Sequence, residues 1–523
     1  MSNQPQGGGG AVADHKAQPR KWAILAVLAV AVFVVSIDST ILNVALPTLG
    51  ETLKASTDQL QWMVDAYSLA MAGLLLMSGA LSDRFGRKRL LILGLLLFGV
   101  ASVAAAVSTE AWQLIAARAV MGVGASAFMP GTLSILVHVF PEDEREKAIG
   151  IWGAVTALGV VFGPLLGGVL LDHFWWGAVY LINVLVVAVS VFGALVLVPE
   201  STDPGAHPLD VLSTLLSVIG VTALVYGVIE QPHFGWGSPR VLAGLIGGGV
   251  TLVLFFVRQA TARHPMVDLK IVRNTRFLGS SGTMAVLMFS LTGILFVLTQ
   301  ELQLRLDFSP LLAGAAILPA AGALMIASPL SAVLSKAIGT RNTVVVALLV
   351  FAAGFGTLAQ FTKDQGYLAI AVAMVLLGIG MGLSQPIVND VLMSAGPKEQ
   401  SGLLSSMNDT VQELGSAFGI AVVGSVLAAR YSSAYELPGK TAASHSLGEA
   451  VVATQGMPKD AAAATVHAAK SAFDSAFSTS SLVCAGVALL GAVAAMVLLP
   501  ARLRTPGADA EAEQAPAEPV LAV

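Results

Sequence analysis

Apolar runs recur fourteen times along this chain, at about 22–46, 60–82, 89–107, 111–139, 148–170, 177–199, 210–230, 240–258, 277–300, 311–333, 342–361, 367–393, 403–428 and 476–499. A run of about 20 apolar residues crosses a bilayer as a helix, because only a helix satisfies its own backbone where water is absent. The pattern predicts an all-α polytopic membrane protein with 14 membrane helices (spans 1–14). Composition agrees: 55% of the 523 residues are hydrophobic and 11% charged, with a mean hydropathy of +0.79, against about 25% charged in soluble domains. The first run continues past Asp38 to Leu46, too long for a cleaved signal segment.

An even number of spans puts both termini on one side. Of the 28 lysines and arginines, 19 fall in the segments that share that side, 8 on the other, and Arg118 inside a span. The bias predicts that both termini are cytoplasmic. Residues 1–21, with a Gly7 to Gly10 run, and 501–523, rich in Ala, Glu and Pro, read as disordered tails. A long outer loop, about 430–475, is Ala-rich and reads as holding a short amphipathic helix near Ala461 to Ala472.

The turn between spans 2 and 3, GALSDRFGRKRLL, carries Gly79, Asp83, Arg84, Gly86 and Arg87. Its bases fix orientation; its glycines allow a sharp turn and close approach, and the acid among the bases points to an ion-paired latch. Gly339-Thr340-Arg341 after span 10 is a weak echo. The two turns imply two six-span halves (22–200 and 276–500), with spans 7 and 8 inserted as a hairpin within 201–275. Repeated halves around a midplane site are the usual build of secondary transporters.

Charge inside a bilayer costs about 2.5–3.5 kcal/mol per group on insertion scales, so each instance calls for a role. Asp38 lies deep in span 1, and Arg118 in the outer half of span 4 is its candidate counter-charge. Asp65 lies near the outer end of span 2, within reach of interfacial water. Asp390 lies in the latter part of span 12. Asp409 and Glu413 in span 13 are four apart and share a helix face. Two carboxyls that close cannot both ionise cheaply in a dry site, so the pair titrates as a unit. Such a site exchanges a proton for a cation. The alternative is that these acids pair with buried donors and only stabilise the bundle. Span 5 carries Gly159, Gly163, Pro164, Gly167 and Gly168; small residues at this spacing pack helices backbone to backbone. Eight scattered histidines and the single Cys484 give no metal-ligand spacing. No catalytic constellation, cofactor motif or nucleic-acid patch is present in the sequence.

GALSDRFGRKRLL resembles the signature of the major facilitator superfamily between spans 2 and 3. LIAARAVMGVGAS, with Arg118, resembles its span 4 proton-coupling signature, LGVVFGPLLGG its antiporter signature, and SIDSTILNVALP the span 1 signature of its 14-span drug:proton antiporters. QWMVDAYSL, NDTVQELGSAFG and the long loop before span 14 are similar to the quaternary-ammonium and dye exporters of the QacA and SmvA type. The resemblance covers about residues 22–500. It implies the major facilitator fold, no cofactor and no metal, a bacterial inner-membrane location, and export of amphipathic, cationic small molecules against protons. Asp38, Asp65, Arg118, Asp409 and Glu413 would handle the proton or the cation. The chain departs from the pattern at Met121, where the family often has Gln. It also has no acid in LPAAGALMIASPL of span 10, which puts recognition of divalent cations in doubt. A periplasmic adaptor has no support in the sequence. Rival readings are a dedicated exporter of one antibiotic or lipid, a proton symporter, and a non-transporting membrane receptor.

Overall fold

The computed structural model describes residues 21–202, 210–262, 265, 269–360, 366–396, 401–436, 442–454 and 457–502. Residues 1–20 and 503–523, which make up nearly all of the two expected tails, lie outside the described residues. Fourteen helices are long and apolar enough to cross a membrane: Lys21–Leu53, Thr57–Phe85, Arg87–Ala106, Ala111–Val139, Asp143–His173, Ala178–Leu197, Val211–Phe234, Pro239–Thr261, Thr275–Arg305, Pro310–Ile338, Thr340–Ala359, Gly366–Met393, Leu404–Ala434 and Lys459–Leu498. They match spans 1–14 one for one.

Packing shows the repeat that the sequence only hinted at. In the first half, span 4 packs on spans 2 and 3, span 1 on span 5, and span 6 on spans 1 and 3. The same five pairings recur in spans 9–14, displaced by eight. Across the halves the symmetric partners meet, span 2 with span 13 and span 5 with span 10. The inserted hairpin of spans 7 and 8 lies on that seam: span 7 packs on both span 2 and span 13. Gly73 is shaped to it, since a Cβ there would stand 3.3 Å from Val218 Cβ. The Ser425 hydroxyl of span 13 donates to the Val228 carbonyl of span 7 at 2.9 Å.

One expectation changes. The outer loop holds a short helix, Leu447–Ala453, but the stretch near Ala461 to Ala472 is no separate helix. It is the first third of a continuous 40-residue helix, Lys459–Leu498, because alanine-rich sequence favours helix strongly enough to extend the span beyond its apolar part. Asp390 lies in the latter part of span 12, near the end of Gly366–Met393, and its side chain is exposed. Below, the face carrying the turns at Gly86 and Gly339 is the turn face, and the face carrying residues 442–454 is the loop face.

Candidate functional site

Asp38 lies midway along the 33-residue helix of span 1. It is fully buried, and so is Arg118 of span 4. Their side chains form a direct ion pair, Nη1 to Oδ2. The second Asp38 oxygen accepts from Asn183 Nδ2 of span 6 at 2.8 Å. Arg118 Nε donates to the Met63 carbonyl of span 2 at 3.0 Å, and its guanidinium lies 4.4 Å from the centre of the Tyr67 ring. One planar group thus makes a salt bridge, a backbone hydrogen bond and a cation–π stack, a combination lysine does not offer. Four helices of the first half converge on this pair.

Asp409 and Glu413 lie on the seam. Val411, Leu414, Gly415 and Phe418 of the same helix line an apolar groove with Val286 and Phe289, so the two acids point the other way, toward span 2. Ser68 of span 2 and Arg118 of span 4 are the polar neighbours of Glu413 there. Both acids keep part of their surface open although they sit deep in the molecule. Arg118 is therefore a cation between an acid of the first half and an acid of the second. Gln61, two helical turns from Ser68, ties the same seam by donating to the carbonyls of Ile420 and Ala421, both at 3.0 Å.

Asp65 departs from the expectation of interfacial water. It is completely buried, and neither carboxyl oxygen has a partner among the described residues. Spans 4, 7 and 13 cover the part of span 2 that carries it.

In the turn, Asp83 and Arg87 form the expected latch, with Nη2–Oδ1 2.8 Å and Nε–Oδ1 2.9 Å. Gly86 has φ +116°, a conformation that favours glycine. The Lys88 N–H donates to Glu200 Oε1 at 3.1 Å, Lys88 Nζ to the Leu195 carbonyl at 2.9 Å, and the Arg87 N–H to the Ser201 carbonyl at 3.0 Å. The turn is thus strapped to the end of span 6. Arg84 instead lies 5.6 Å from the ring of Phe85. Gly79 does not serve close approach: an added Cβ would meet Pro130 at an ordinary 3.8 Å.

The glycine stripe of span 5 does serve it. Cβ atoms at Gly159 and Gly167 would come within 2.6 Å of Ser36 and Ile41, and one at Gly163 would collide with Thr40. These residues bracket Asp38 on span 1. Gly168 faces the Pro310 carbonyl of the other half at 2.7 Å, and Gly314 faces the Pro164 carbonyl. Pro164 does not break the helix, which runs on to His173.

Residues that the sequence did not single out complete the site. Asn183 stands in an apolar span, where the rule used for the acids would have found it if extended to amides. Tyr67, Ser68 and the Met63 carbonyl carry no sequence signal of their own; only packing assigns them. Glu301, just past the expected end of span 9, is buried.

The Major Facilitator Superfamily matches residues 28–420. The chain is 36% identical to the multidrug efflux pump LfrA of Mycolicibacterium smegmatis over 490 residues, covering 92% of this chain and 95% of that protein. It is 35% identical to the methyl viologen resistance protein SmvA of Salmonella typhimurium, covering 87% and 93%. It is 31% identical to the tetracenomycin C resistance and export protein of Streptomyces glaucescens, covering 80% and 78%. Among solved structures, a bacterial homologue of the human lysosomal transporter Spinster, inward-facing and unoccupied, superposes with a TM-score of 0.63 at 16% identity, covering 93% of this chain and 99% of that one. Fourteen membrane helices in two repeated bundles, with relatives that are efflux and resistance proteins, make this chain a multi-pass membrane transporter of the Major Facilitator Superfamily.

Proposed function

We propose that the chain is a proton-driven antiporter that exports amphipathic, cationic compounds such as quaternary ammonium ions, dyes and antibiotics. The observation that carries this is the position of Arg118, paired with Asp38 and within electrostatic reach of Glu413 across the seam. A proton on Asp38 neutralises the partner of Arg118 and leaves the guanidinium to act on Glu413. A cationic compound bound by Asp409 and Glu413 competes with a proton for the same charge. Binding of one therefore favours release of the other, which is the linkage an exchanger needs. Asp65, buried without a donor, is a third group that a proton would neutralise.

The lysine and arginine bias supports a turn face and both termini on the cytoplasmic side of a bacterial inner membrane. The halves would span 22–200 and 276–500, around the hairpin and linker of 201–275. The turn at Gly86 and the stripe at Gly159, Gly163, Gly167 and Gly168 would act as rigid contacts that make rocking of the halves all-or-none. No cofactor enters this scheme. The test is gradient-dependent ethidium efflux by Asp38→Asn and Glu413→Gln; undiminished gradient-driven efflux in both overturns the roles. A dedicated antibiotic exporter is the second reading, favoured by the relative that exports tetracenomycin C. A substrate panel with a single hit would select it.

A further inference from the structure

The loop face holds a carboxyl group that the proposed exchange does not use. Glu301 is 1% exposed, and its Oε2 has no partner among the described residues. Burying a carboxylate in that state is far more costly than burying the neutral acid.

The backbone at this point is unusual as well. Regular α-helical bonding ends at Gln300, and Glu301–Arg305 forms a π turn, with the Leu306 N–H donating to the Glu301 carbonyl at 3.0 Å. Such turns are rare and frequent at functional sites. This one joins the halves, because Gln303 Nε2 donates to the Val44 carbonyl of span 1 at 2.8 Å. Leu304 of the turn and Gln300 just before it line a cavity of about 360 Å³ opposite Pro47, Gly50 and Leu60, and Glu301 lies outside that lining. The cavity has room for several waters. A single turn therefore carries the buried acid, the inter-half hydrogen bond and part of the wall of a hydratable cavity.

Charged groups approach Glu301 from its own segment (Arg305, Asp307) and from span 14 (Lys470, Asp474), and they are already paired. Arg305 Nε meets Asp474 Oδ1 at 2.7 Å, and Lys470 Nζ meets Asp307 Oδ2 at 3.2 Å. Across the cavity stand Lys54 after span 1, His233 of span 7, and His445 and Glu449 beside the short loop helix. The start of span 10, Pro310–Ala316, brings no ionisable side chain.

We propose that Glu301 is a proton-binding site that sets the loop-face gate. With the carboxyl neutral, the π turn stays buried and Gln303 holds span 1. When the O–H bond breaks and the proton passes to a water beside the exposed Asp474, the carboxylate turns toward that water, Arg305 and Lys470. The Gln303–Val44 hydrogen bond is then lost and the halves part on this face. Closure takes the proton back from a hydronium ion of the same water. Low pH at the loop face therefore holds the gate shut, whether or not a compound is being transported.

The test uses accessibility. The only cysteine, Cys484, is buried and is replaced in Cys484→Ser. Gly50→Cys then places one thiol on the cavity wall, where a Cβ meets only Leu60 at 3.6 Å. In nanodiscs, labelling by a membrane-impermeant maleimide is read at pH 5.5 and 8, normalised to the unfolded protein at each pH. With Glu301 present, labelling is expected to be about tenfold faster at pH 8. In Glu301→Gln it is expected to stay slow at both. A full pH response in Glu301→Gln, or none with Glu301 present, overturns the proposal. If Glu301→Gln does not fold, Glu301→Asp decides: a moved midpoint supports the proposal and an unmoved one overturns it. No gradient or substrate enters the measurement, so failure of proton antiport and failure of this gate are read separately.

Discussion

The two halves repeat the same helix pairings and treat charge in opposite ways. In the first half one buried acid is compensated, since Asp38 has Arg118 on one oxygen and Asn183 on the other, while Asp65 is buried with neither oxygen partnered among the described residues. In the second half Asp409 and Glu413 have no basic residue on their own helix nearer than Arg430 at its loop-face end. The turns differ likewise. Gly86 is held by side chains, chiefly Glu200 and the Asp83–Arg87 pair. Gly339, with φ +90°, packs against the Ala501 carbonyl, and Arg341 Nε donates to the Leu499 carbonyl at 2.8 Å. Within the first half Asp38 and Arg118 form a mutually neutralising pair. The second half presents uncompensated acids to it, and Arg118 is the one group that serves both.

The largest effect that would test this contrast is at Arg118. Arg118→Ala leaves Asp38 buried without a counter-charge, which costs about 3–5 kcal/mol, so folded yield by size exclusion should collapse. Adding Asp38→Asn should restore folded yield without restoring gradient-driven ethidium efflux. A recovery of efflux in the double variant would break the assignment of this pair to coupling.

Next is Glu413→Gln. The second half holds no buried ion pair at this point, so folded yield should stay near wild type. Gradient-driven efflux should fall by about tenfold or more, an order set by losing one coupling interaction. Loss of yield with intact efflux per folded molecule would reverse the comparison and make Glu413 a structural acid.

The turns give a smaller and opposite ranking. A Cβ at Gly86 would meet Glu200 Oε1 at 2.7 Å, the free end of a side chain; at Gly339 it would meet the Ala501 carbonyl at 2.6 Å, which is backbone. Both substitutions place alanine at positive φ, at about 1–3 kcal/mol. Gly339→Ala should lower the thermal midpoint more than Gly86→Ala, because backbone moves less readily than a glutamate head. Equal shifts would show that the backbone strap yields as easily as the side-chain one.

The smallest effect concerns the hairpin, which belongs to neither half. Burial acts to raise the Asp210 carboxyl, but hydrogen bonds from Arg258 and Ser213 outweigh it and hold the group below its ordinary value. Arg258 Nη2 stands 2.7 Å from Asp210 Oδ1. A depressed carboxyl stabilises the fold above its unfolded value, and that contribution is lost as pH falls through the folded one. Arg258→Ala should therefore lower the thermal midpoint at pH 7 by an amount worth less than about 1 kcal/mol. The difference from wild type should vanish in acid; one that persists there would exclude ionisation of Asp210 as its source.

Much of this was legible beforehand. Every span was visible as an apolar run, since a bilayer leaves the backbone no other way to be satisfied. The intramembrane acids stood out because charge there is rare. Asp65 was misread because position along a helix gives depth but not what covers it. Glu301 was missed because a π turn carries burial past the point where the apolar run stops.

Sequence alone determined the number of spans, the signature turns and the set of charged residues within the spans, because each follows from local composition and spacing. Only the tertiary structure decided which charges meet. Asp38, Met63, Tyr67, Arg118, Asn183 and Glu413 are brought together from five helices, and their pairing depends on helix rotation and seam contact. Glycine stripes and buried amides fix those in three dimensions, and no single stretch of chain records them.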